Sequence, residues 1–144
     1  MTPELVFSIC NMVAMVGWII LIVLPWWISS DRFIIGVIIS LLAIVYTWMI
    51  VSSFHLSDLS AFGSLDGVMR LFTDRFVVTA GWIHYLAFDL MVGLFIRKNA
   101  VRHDIHHALV IPCLLVTFIF GPAGLVLYFI IRIFHTRQYF TTNF

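Results

Sequence analysis

Two ionisable residues stand deep inside one apolar stretch of this 144-residue chain, His84 and Asp89. Each costs several kcal/mol in hydrocarbon unless paired or wet, and an Asp at mid-span costs roughly 2.5–3.5 kcal/mol on insertion scales. Both are therefore expected to face the interior of a bundle, as a catalytic acid and base or as an anchor for a polar ligand group. They lie five residues apart, about 140° around a helix axis, so they do not touch along it. A cavity bounded by two neighbouring helices would have to collect them. Trp82, Tyr85 and Asp89 share one face by three-and-four spacing. Gly81 and Gly93 extend that row and admit another helix closely. Matching depths adds Asn11 and Tyr46 near His84, and Ser40 and Thr117 near Asp89. The alternative is a polar network that only fixes helix register, with Asp89 bonded to Tyr or Thr hydroxyls.

Two further motifs carry possible chemistry. Gly121-Pro122-Ala123-Gly124 interrupts an apolar run, where Pro122 removes a donor and kinks a helix. Such a break frees carbonyls beside a binding site, or it lets helices pack through small residues. His103-Asp104-Ile105-His106-His107 has the spacing of one histidine box of the iron-holding membrane desaturases. Those enzymes use several boxes, and this chain has six histidines in all. His55 and His135 are expected at the other membrane face, so the cluster reads as a solvated turn, with no metal site and no other cofactor.

The elements that hold these residues must be lipid-embedded helices. Charged residues make up 10 % of the chain and apolar ones 62 %, with a mean hydropathy of +1.10. So few charges do not cover a soluble surface, and a net charge of +1 excludes the basic face that nucleic acid requires. Four runs approach the roughly 20 residues that cross about 30 Å of hydrocarbon: about 5–24, 33–54, 76–96 and 108–131. The fold class expected over residues 1–144 is a single all-α membrane domain of four transmembrane helices, both chain ends on one face. A short amphipathic segment, His55–Arg75, lies between the second and third helices in the interface, broken near Gly63 and Gly67, as a cover or as a lid. Arg70, Arg75, Arg132 and Arg137 then fall on the face of the termini, and Arg32, Arg97, Lys98 and Arg102 on the other. That tie leaves orientation open under the rule that cytoplasmic loops carry the Lys and Arg excess. Cys10 and Cys113 sit in different spans at different depths and are expected as unpaired packing residues.

The stretch Gly81-Trp82-Ile83-His84-Tyr85-Leu86-Ala87-Phe88-Asp89-Leu90, with Gly93, resembles a signature of the neoxanthin-synthase-like family known through abscisic-acid deficiency. His107–Cys113 and Phe120–Leu125 resemble its second conserved block. The resemblance covers roughly residues 70–132 and implies a small four-helix membrane protein. It further implies conversion of an epoxycarotenoid to an allenic isomer, which asks for an acid at the epoxide oxygen and a base at the adjacent carbon. No redox cofactor is implied. His84 and Asp89 are the expected pair, and Trp82, Tyr85, Phe88, Asn11, Tyr46, Thr117 and Pro122 the expected ligand-binding residues. A polyene would lie in a groove lined by Trp18, Phe88 and Trp82. Expected partners are a carotenoid or isoprenoid and membrane lipid, in a bacterial inner membrane or a plastid membrane, with oligomers allowed. Two alternatives stay open: a carotenoid- or lipid-binding accessory protein without catalysis, and a structural membrane subunit.

Overall fold

The computed structural model describes residues 2–27, 29–53 and 56–137, and every regular element among them is helical. Helix α1 runs Pro3–Val23. The Thr2 hydroxyl accepts from the Leu5 amide (3.4 Å) and Pro3 occupies the first turn, where no donor is missed. It ends before Pro25, which has no N–H to continue the ladder and disfavours helical backbone at Leu24. A short α2, Ser30–Phe33, leads into a π-helical turn, Ile34–Ile39, and then α3, Ser40–Ser53. Next come a 3₁₀ helix, Leu56–Gly63, and α4, Leu65–Leu71, whose Ser64 cap receives the Gly67 amide (3.1 Å). The segment does break at Gly63, while Gly67 lies inside α4. Its apolar side chains Leu59, Phe62, Leu65, Met69 and Phe72 are exposed.

Helix α5, Arg75–Arg102, is the axle of the fold. Asp74 caps it by accepting from Phe76 and Val77 (2.8 and 3.1 Å), and α1, α3, α6 and α7 all pack around it. In lipid such packing rests on close contact, not on expelled water. Gly93 admits the ring of Trp18 and Gly17 admits Leu90, each so close that a Cβ would lie within 2.8 Å of its neighbour. Glu4 pairs with Arg75 (2.9 Å), so α1 and α5 begin at the same end.

Among the described residues three helices are long and apolar enough to cross a membrane: Pro3–Val23, Ser30–Ser53 and Arg75–Arg102. The fourth apolar run, expected as one helix from about Ala108 to Ile131, is two: α6, His107–Phe120, and α7, Pro122–Thr136. Gly121 adopts φ 53°, ψ −109°, a backbone region open to glycine alone. Pro122 then starts a new helix instead of kinking the old one. Gly124 seats directly on Thr117 and the Cys113 carbonyl, so the chain reverses into a helical hairpin. Contacts with α5 fix the direction of each arm. Ile119 meets Tyr85 at the tip, whereas Tyr128 and Arg132 reach Asn99 near the far end of α5. The described chain therefore finishes at the opposite end of the bundle from α1's start. This corrects the expectation of both ends on one face, and it moves Arg132, His135 and Arg137 to the other end. His55 lies outside the described residues.

Candidate functional site

Asp89 stands halfway along α5, 7 % exposed, at the tip of the α6–α7 hairpin. Its carboxylate closes over Gly121, where a Cβ would lie 2.8 and 3.1 Å from the two carboxyl oxygens. Only a glycine admits the group there, and the N-terminal end of the α7 dipole adds a partial positive charge nearby. Tyr85, one turn back, carries its hydroxyl beside Asp89 and donates to the Ile119 carbonyl (3.1 Å). Asp89 Oδ2 is buried and has no hydrogen-bond partner among the described residues. Buried carboxyl oxygens are normally bonded, and this exception at mid-depth makes Asp89 the centre of the candidate site.

Because the hairpin stops at this depth, the α5 face between its tip and α4 is left open. Trp82 and Tyr85 line it, whereas Phe88, 60 % exposed, lies about 120° around α5 from Trp82, on the side of His84 and outside the expected groove. Phe7 leans on Trp82 (ring centroids 5.6 Å apart) and Trp82 on Tyr85 (5.3 Å). The Trp82 indole donates to Asn11 Oδ1 (3.1 Å), which holds the ring against α1. At the far margin Phe72 covers Gly81.

His84 is not part of this centre. It is exposed, stacked on Phe88 (4.4 Å, 23°) and next to Tyr46 (5.5 Å), and these ring contacts are its partners among the described residues. The inward expectation thus holds for Asp89 and fails for His84. The 140° between them around α5 is the reason: once Asp89 faces the hairpin, His84 must face away. Thr117 is fully buried and bonds Cys113 O (2.8 Å), serving the hairpin and not Asp89, with Pro122 next to the tip. Trp18, expected in a ligand groove, is buried against Phe118 and Gly93. A separate apolar groove of about 510 Å³ lies between α1 and α3, lined by Val6, Cys10, Val13, Leu42, Val45 and Trp48 among others. It reaches neither Asp89 nor His84.

The histidine cluster is divided among local tasks. His106 caps α6 through Nδ1 (3.3 Å from the Ala108 amide), His107 Nε2 lies 3.0 Å from Ile22 O, and His103 ends α5. Among the described residues no three His, Cys, Asp or Glu side chains gather as a metal site. Cys10 and Cys113 are free and buried.

Reading the sequence missed a polar layer at the far end of α5. Arg97 is buried and donates to Ser30 Oγ (2.6 Å), and Ser30 in turn donates to Trp27 O (2.7 Å). Asn99 Oδ1 accepts from Tyr128 (2.6 Å) and from Arg132 (3.3 Å), whose guanidinium also sits 5.0 Å from the Phe129 ring. Both arginines had read as interfacial flanks, because α5 was expected to stop near residue 96 and runs six residues further. Ser30→Ala removes the acceptor from a buried guanidinium and should destabilise the fold by about 1.5–3 kcal/mol, seen as earlier thermal unfolding in detergent. An unchanged midpoint would mean that water replaces the hydroxyl.

With this geometry in view, the comparison with known families is decisive: the family model described as ABA DEFICIENT 4-like matches residues 5–128. The chain belongs to that family. The match takes in α1 as well as the hairpin tip, more than the two motifs noted in the sequence. Among curated proteins and solved structures, none matches. Family and apolar helices together make this a carotenoid-related membrane protein.

Proposed function

We propose that this protein takes a carotenoid or related isoprenoid from the bilayer and isomerises its polar end group by acid–base chemistry. The observation that carries the reading is the buried, unpartnered Asp89 oxygen beside Tyr85, at the head of an open row of aromatic rings. A polyene lying along Phe7, Trp82 and Tyr85 would bring its end group to that carboxyl. For an epoxide the Tyr85 phenol gives its proton to the oxygen as the C–O bond opens. The Asp89 carboxylate takes the proton from the adjacent carbon, and the C–H electron pair becomes the new double bond. Asp89 then returns its proton to the neighbouring phenolate, so nothing is oxidised or reduced. The Tyr85 bond to Ile119 O must be exchanged for the substrate oxygen on binding. Incubating the protein in vesicles with an epoxycarotenoid and analysing the pigments tests this; an unaltered pigment across substrates of this class would end the enzymatic reading.

His84 has no step in this scheme. His84→Phe keeps a ring against Phe88 and should leave turnover within about threefold of wild type, far short of the loss that removal of a general acid or base brings. A loss beyond about a hundredfold would return His84 to the reaction.

The apolar groove between α1 and α3 favours a second reading, a carotenoid or lipid carrier without chemistry. In that case pigment copurifies with the protein and leaves it unchanged.

A further inference from the structure

We propose that the α6–α7 hairpin enters and leaves the membrane by one face, and that this face is cytoplasmic, with the amino terminus outside. At 1.5 Å per residue α6 and α7 are about 21 and 22 Å long, short of the roughly 30 Å of hydrocarbon. The 28 residues of α5 reach about 42 Å. Both arms lie along the same half of α5: His107 begins beside the end of α1, Gly121 meets Asp89 halfway, and Arg132 is back at Asn99. Irregular backbone at mid-depth is tolerated only where protein satisfies it. Here Gly121 N–H donates to Thr117 O (2.8 Å), Gly124 N–H to Gly121 O (3.1 Å), and Tyr85 to Ile119 O.

The hairpin breaks the tie in charge. With four crossings, the eight Lys and Arg divide evenly. With three crossings and a re-entrant hairpin, Arg32, Arg97, Lys98, Arg102, Arg132 and Arg137 share one face, against Arg70 and Arg75 on the other. Six against two, all close to helix ends, points the richer face to the cytoplasm. The open aromatic row beneath the hairpin tip then lies in the outer half of the bilayer. On the function proposed above, the substrate reaches Asp89 from the outer leaflet.

The test reads location, not activity, so it stands or falls apart from the proposed reaction. Leu65 and Val101 are 76 % and 71 % exposed at opposite ends of the bundle, and the native cysteines are buried. In intact cells a membrane-impermeant maleimide should label Leu65→Cys and spare Val101→Cys until lysis. Green fluorescent protein fused after residue 144 should fluoresce, and alkaline phosphatase fused there should be inactive. Labelling at Leu65 together with an active phosphatase fusion would put both ends outside and overturn the re-entrant hairpin. Labelling at Val101 with Leu65 protected would overturn the orientation. Changing the exposed Arg32, Arg102 and Arg137 together to Gln leaves three cations against two, and should turn single-sided labelling into a mixture. Labelling that stays single-sided would remove charge as the determinant.

Discussion

Asp89→Asn should reduce turnover of a reconstituted epoxycarotenoid by about 10²–10⁴-fold, the usual loss when one acid or base is removed. The amide keeps the size of the carboxyl group, so the contact over Gly121 and the bound pigment should both survive. What it loses is the ability to take and return a proton. Thermal unfolding and pigment binding measured beside turnover separate the roles. Lost turnover with intact binding supports the acid–base centre. Full turnover would show that the chemistry lies elsewhere. Asp89→Leu serves as the companion variant: it sets a branched apolar side chain against Gly121 and the Tyr85 hydroxyl, so equal turnover loss with greater instability is expected there. If Asp89→Asn itself unfolds the protein, the carboxylate is a helix lock and the enzymatic reading fails.

Gly124→Ala should be strongly destabilising. A Cβ there would overlap the Thr117 hydroxyl and amide and the Cys113 carbonyl. Two of those three obstacles are backbone and cannot rotate aside. Overpacking typically costs 1–3 kcal/mol, and the rigid neighbours put this case near the top, about 3 kcal/mol. Because the hairpin tip carries Gly121 onto Asp89, turnover should fall with stability. The sign of the effect is diagnostic. In a continuous or merely kinked fourth helix, alanine for glycine would stabilise by about 1 kcal/mol. Gly36→Ala is the control, since nothing lies within 4 Å of a Cβ at that position, and a gain of about 0.4–1 kcal/mol is expected. Thermal unfolding in one detergent compares all three proteins; a Gly124→Ala midpoint at or above wild type would remove the hairpin.

The sequence by itself determined the solvent and most of the local structure. A chain with 10 % charged residues belongs in lipid, where backbone groups must bond within their own segment, so helices followed. Pro25 ended α1, and Ser64 and Asp74 capped α4 and α5 at positions their chemistry favours. The motif around Asp89 carried the family. What only the tertiary structure decided was direction. Hydropathy measures the cost of transfer to lipid, and a full crossing and a half-depth hairpin satisfy it equally well over residues 108–131. Gly121-Pro122 permits a kink or a reversal; the seating of Gly124 on α6 selects the reversal. The same holds around α5: helical geometry set His84 and Asp89 about 140° apart, but not which of them would find the hairpin. Arg97, Asn99 and Arg132 were legible as polar residues near helix ends, yet their burial depends on α5 running on to Arg102 and on α7 returning beside it. Spacing along one helix fixes relative angles, and only the neighbours that pack against it turn those angles into inside and outside.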